Sequence, residues 1–127
     1  MTATAATAAV SQHAPSLGPE LDVLEARATR ERDLHFGKYI ELQEVTRLVR
    51  ALRTLMVRHL CREQRLADAD AAGPAVAALL AEHEQASALI ARLRAVTSGF
   101  EPPHDAGPGH RELYKGLAEL EADLTGG

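Results

Sequence analysis

Apolar residues recur at intervals of three and four along most of the chain, and breaks in that rhythm divide it into four segments. Leu17, Leu21, Leu24 and Ala28 form the first series, opened by Ser16 and Pro19 and closed by Gly37. The second runs from about Ile40 to Asp68 and carries Val45, Leu48, Val49, Leu52, Leu55, Met56 and Leu66. Ala72-Gly73-Pro74 ends it and opens a third, with proline at a favoured first-turn position. The third reaches about Thr97, with a seam of Val76, Leu79, Leu80, Ile90 and Leu93. The stretch SGFEPPHDAGPG at 98–109 reads as a loop. A last series, Leu113, Leu117, Leu120 and Leu124, starts near His110. Four amphipathic helices on short connections predict an all-α fold, an up-down-up-down four-helix bundle with a shortened fourth helix.

The polar residues on the apolar faces are the informative ones. At about 100° per residue, His59 and Glu63 fall in the middle of the apolar face of the second segment. Arg47, Arg58, Arg62 and Arg65 fall opposite, as a solvated face, and Cys61 points away from His59 and Glu63. His83 falls within the third seam. In antiparallel helices, residues equidistant from a turn lie level. Reflection about 71–72 sets His83 level with His59 and Glu63, and reflection about Gly37 brings His13 there. Reflection about the 98–109 loop brings the end of the chain to the same level. A buried carboxylate needs compensation. A metal ion is one source, which makes His59, Glu63, His83 and His13 candidate ligands. A hydrogen-bonded His–Glu pair is another. His35 sits near the first turn, about 24 residues and some 36 Å of helix from His59. It belongs at the other end, near His104 and His110, where the three could form a minor surface cluster but read rather as exposed or turn histidines.

Composition narrows the classes. A chain of 127 residues fits one small domain, here 13–127 behind a disordered tail at 1–12. A net charge of −4 argues against general polyanion binding, and two Phe, two Tyr and no Trp leave no aromatic platform for nucleic acid. The single Cys61 excludes an internal disulfide and fits a reducing cytoplasm. Neither a secretory leader nor a run of about 20 apolar residues is visible, so no membrane partner is expected. There is no glycine-rich phosphate loop, nucleophile–base set or zinc-finger spacing, which favours binding over catalysis.

Several stretches resemble a known family. His59 with Glu63 matches a His-x-x-x-Glu motif, and Glu82-His83 matches the Glu-His of the next helix. Thr97, Phe100, Pro102 and Pro103 match a loop pattern, and LYKGLAELEADL follows as in the family. LHFGKYIELQEV at 34–45 is similar to the first interhelical region, with His35 in the place of its histidine. Over roughly residues 17–125 the chain resembles hemerythrin-like domains, and within them the iron–sulfur-cluster repair di-iron proteins. That resemblance implies a non-haem di-iron site inside the bundle, with helical histidines on the irons and carboxylates bridging them. It also implies binding or sensing of oxygen or nitric oxide, or iron donation to damaged clusters.

The departures from the pattern are specific. Gln64 stands where a second glutamate is usual, and Leu66-Ala67-Asp68 replaces Leu-Phe-Pro. A further His-x-x-x-Glu would start at Gly127, so the expectation is an incomplete site. Two readings follow. The first is an iron-binding module using His59, Glu63 and His83, with His13 or water in further positions. The second is a metal-free bundle serving interaction or structure, with a second copy or partner helix covering an open seam. A di-iron oxidation enzyme is a third, for which the sequence offers no substrate pocket.

Overall fold

A computed structural model describes residues 14–68 and 74–125. The expected tail at 1–12, His13 and the turn near 71–72 lie outside the described residues. The four helices are α1 (Ala14–Leu34), α2 (Glu41–Asp68), α3 (Pro74–Val96) and α4 (Pro108–Thr125). No strand occurs among the described residues. α1 packs on α2, α2 on α3, α3 on α4, and α4 returns to α1. The chain is therefore an all-α bundle closed into a ring. Its last helix has 18 residues against 21, 28 and 23 for the others.

The core follows the periodicity. Leu17, Leu21, Leu24 and Ala28 of α1 are buried, as are Val45, Leu48, Val49, Leu52 and Met56 of α2 and Leu113, Leu117, Leu120 and Leu124 of α4. In α3 the buried seam is Ala86, Ile90 and Leu93, continued by Thr97. Leu80 is not part of it and is 52% exposed. Charged residues tie the helices from outside. Arg53 of α2 meets Asp22 and Glu25 of α1, Arg92 of α3 meets Glu44 of α2, and Arg94 of α3 meets Glu121 of α4. Exposed pairs of this kind contribute little each, about 0.2–1 kcal/mol.

The turns explain two of the sequence signals. Gly37 sits at φ 87°, a left-handed conformation that favours glycine, and the chain reverses there into α2. After α3, Ser98, Gly99 and Phe100 are all left-handed, at φ 56°, 78° and 62°. Thr97 holds this unusual run. Its hydroxyl donates to the Leu93 carbonyl at 2.7 Å and accepts the Phe100 N–H at 2.9 Å. Phe100 is thereby tucked into the core, with the Arg94 guanidinium 5.4 Å from its ring centre. The loop pattern of Thr97 and Phe100 is thus a helix stop. α4 begins at Pro108, two residues before its expected start, because proline suits a first turn.

Candidate metal centre

His59 lies in the second half of α2, one turn beyond the buried Met56, and is 1% exposed. Its position on the apolar face accounts for the burial. Across the bundle it meets Glu82 of α3, itself 8% exposed. His59 Nδ1 and Glu82 Oε1 are 3.6 Å apart. Glu82 was not among the candidates from the sequence. His83, which was, is half-buried beside it.

Helical geometry explains why the sequence favoured His83. The expected seam of Val76, Leu79, Leu80, Ile90 and Leu93 centres within about 15° of His83. Around the buried set Ala86, Ile90, Leu93 and Thr97 the centre shifts, and Glu82 and His83 lie on either side of it, each about 50° away. Leu80 is exposed, so the true seam is turned toward Glu82. Glu63 follows His59 by one turn of the same unbroken helix. Its side chain lies outside the described residues, as does all of His13. Cys61 is exposed, as its position on the helix implies.

A buried imidazole nitrogen and a buried carboxylate oxygen, presented by two different helices, attract positive charge. A proton on His59 would supply it, and so would a cation that accepts nitrogen and oxygen donors, such as iron, manganese or zinc. The donor types fit such an ion. Among the described residues, no three or more His, Cys, Asp or Glu side chains are grouped so as to hold one.

At the opposite end of the bundle the structure corrects the expectation of exposed histidines. His104 is exposed, but His110, in the first turn of α4, is fully buried. Its ring packs edge-on against Tyr39 and Tyr114, each 4.7 Å away between centres, and stacks on His35 at 6.5 Å. Neither ring nitrogen has a hydrogen-bond partner among the described residues. Burial pushes its pKa below the ordinary 6.5, against the opposing pull of Glu41 and Glu31. Beside it, the buried Glu31 pairs with His35 at 3.4 Å and lies directly over Gly109. Tyr39 donates to Asp105, which also pairs with Lys38 and pins the 98–107 loop to the first turn.

Glu20 of α1 meets Asp123 and Glu119 of α4 along the seam that closes the ring. Burial, then a hydrogen bond to Asp123, then the charges of Asp123 and Glu119 push its pKa up to about 7. Sequence periodicity carried no sign of this cluster, because it forms between the first and last helices.

No helix among the described residues is long and apolar enough to cross a membrane. A comparison with curated proteins found no match. A comparison with family models matched residues 17–125 to the hemerythrin HHE cation-binding domain. That span takes in all four helices but the first three residues of α1, with His59, Glu63, Glu82 and His83 inside it, and the chain belongs to the hemerythrin HHE cation-binding family.

Proposed function

We propose that this protein binds iron in the interior of the bundle, with His59 as its central ligand. The observation that supports this most is the buried His59 of α2 facing the buried Glu82 of α3 in a chain of a cation-binding family. Glu63 and His83 are the further ligands in this reading, with His13 or water filling other positions. The apolar surroundings, with Met56 one turn before His59, would limit solvent and favour a small diatomic ligand such as oxygen or nitric oxide. A role in sensing such molecules, or in supplying iron to damaged iron–sulfur clusters, follows from the resemblance in the second half of the chain. The reading places the protein in the cytoplasm, where a second copy could cover the His59 end.

The alternative, a metal-free bundle that serves interaction or structure, takes the His59–Glu82 pair as a core ion pair in its own right. Metal content decides between them. Protein purified without oxygen from iron-supplemented cells should carry one or two irons per chain. His59→Ala and His83→Ala should each lose most of it. Iron no higher in the parent than in the two variants would overturn the metal-binding reading.

A further inference from the structure

We propose that the turn between α1 and α2 is a self-association surface, through which a second copy of this chain packs against the first. This surface lies at the end of the bundle remote from His59 and does not depend on metal binding. Three observations carry it. First, the polarity of the turn is inverted. Within residues 34–40, Leu34, Phe36 and Ile40 are 62%, 79% and 71% exposed, while Tyr39 is buried and His35 half-buried. Polar side chains suit a tight reversal such as the one at Gly37, so the fold does not call for large apolar ones in these outward positions. The other large apolar residues exposed among the described residues, Val23, Val57 and Leu80, lie singly on three different helices.

Second, the turn is held in place before any partner arrives. The His35 N–H donates to the Glu31 carbonyl at 3.0 Å and the Lys38 N–H to the His35 carbonyl at 2.9 Å, and the Tyr39 hydroxyl donates to Asp105 at 2.9 Å. A surface already fixed loses little freedom on binding. Third, area and charge fit a second copy. Three large side chains so exposed offer roughly 300–400 Å² of apolar surface. An interface of standard size takes about 800 Å² from each partner, somewhat more than half of it apolar, so the three would supply most of that apolar part. The chain carries a net charge of −4, so two copies repel unless the faces that meet are locally neutral. Here the flanking charges cancel in pairs, Lys38 with Asp105 at 3.0 Å and Arg32 with Asp33 at 3.1 Å. A face neutral in itself can meet its own image across a two-fold axis. The same balance disfavours an anionic lipid surface, which is bound through surplus basic groups.

The test is sedimentation velocity of the full chain, with chelator present, at concentrations up to about 1 mM. Parent protein, Phe36→Ser, Ile40→Ser and the control Val57→Ser would be compared. The parent should form a dimer as concentration rises. Phe36→Ser and Ile40→Ser should each weaken it at least about tenfold, as truncating an anchor at the centre of an interface does, while Val57→Ser pairs like the parent. Melting of each variant separates this from a folding defect, and if Phe36→Ser does not fold, Ile40→Ser decides. A parent that stays monomeric throughout would overturn the proposal, and so would a dimer that both variants leave intact. Flotation with vesicles of phosphatidylcholine and phosphatidylserine adds a last arm. Parent protein that floats with them while Phe36→Ser does not would assign the patch to a membrane and overturn the second copy as its occupant.

Discussion

A neutral imidazole carries one N–H donor and one lone pair, and in His110 both are buried without a hydrogen-bond partner among the described residues. Leaving a buried polar group unmatched costs about 1–3 kcal/mol. His110→Phe keeps a flat ring between Tyr39 and Tyr114 and removes that cost. It should raise the melting temperature by a few degrees at neutral pH. The gain should widen in acid. The folded pKa lies below 6.5, so the unfolded chain binds the proton more readily. The contribution of His110 is fully present above 6.5 and is lost as pH falls from there toward the folded value. The groups facing His110 do not prevent this. Glu31, Glu41 and His35 pull in opposite directions, and desolvation outweighs them. Melting curves from pH 7.5 down to 5 would check it, and a variant no more stable than the parent across that range would count against it.

Between elements, α4 packs tightly against α1 at Gly116. A Cβ there would stand 2.7 Å from the Cδ2 of the buried Leu24. Alanine improves helix propensity by about 1 kcal/mol, but overpacking a filled core costs about 1–3 kcal/mol. Gly116→Ala should therefore destabilise the protein by about 1 kcal/mol. In a Leu24→Val background the same change should become stabilising, because the propensity gain survives and the clash does not. A double-mutant cycle by urea unfolding measures this directly. Such contacts also mark the limit of sequence reading. The four helices were legible because Leu and Val repeat at helical spacing and Gly37 and Gly73-Pro74 punctuate them. The facing of α3 was not, because a small residue, Ala86, and a polar one, Thr97, define its buried side while Leu80 lies out in water. That error of a fraction of a turn is why His83 stood out in the sequence and Glu82 did not. His59 was legible because the buried apolar residues of α2, from Leu42 to Met56, fix its face without ambiguity. The burial of His110 depends on Tyr39, Tyr114 and the first turn of the chain together, and no local spacing encodes it.

Across the whole molecule, the ring is closed by two groups with opposite responses to protons. Glu20 has its pKa raised to about 7 in the fold, so the folded state holds a proton that the unfolded chain gives up nearer 4.5. Its contribution is present at low pH and is lost as pH rises from 4.5 through about 7. His110 acts the other way below 6.5. The two slopes oppose each other just below pH 6.5. Glu20→Gln keeps an N–H donor for Asp123 at every pH and should be more stable than the parent at pH 8. It should also expose the acid sensitivity of His110 as an unopposed fall in stability below pH 6.5. His110→Phe should instead leave stability falling only on the alkaline side. Calorimetric melting of the two variants and their combination from pH 5 to 8 tests the pairing, and the double variant should have the flattest profile.

The ring cage around His110 has an optical consequence. The chain has no tryptophan and two tyrosines, and both of them, Tyr39 and Tyr114, pack against that one imidazole. Intrinsic ultraviolet emission is therefore a local reporter, confined to one end of the bundle. Tyr39 and His59 are separated by about 30 Å of helix. A metal chromophore at His59 would report from the far end, and the two signals can be followed in one cuvette. Emission that changes before the visible band during unfolding would show the first turn and α4 parting while the α2–α3 end still holds.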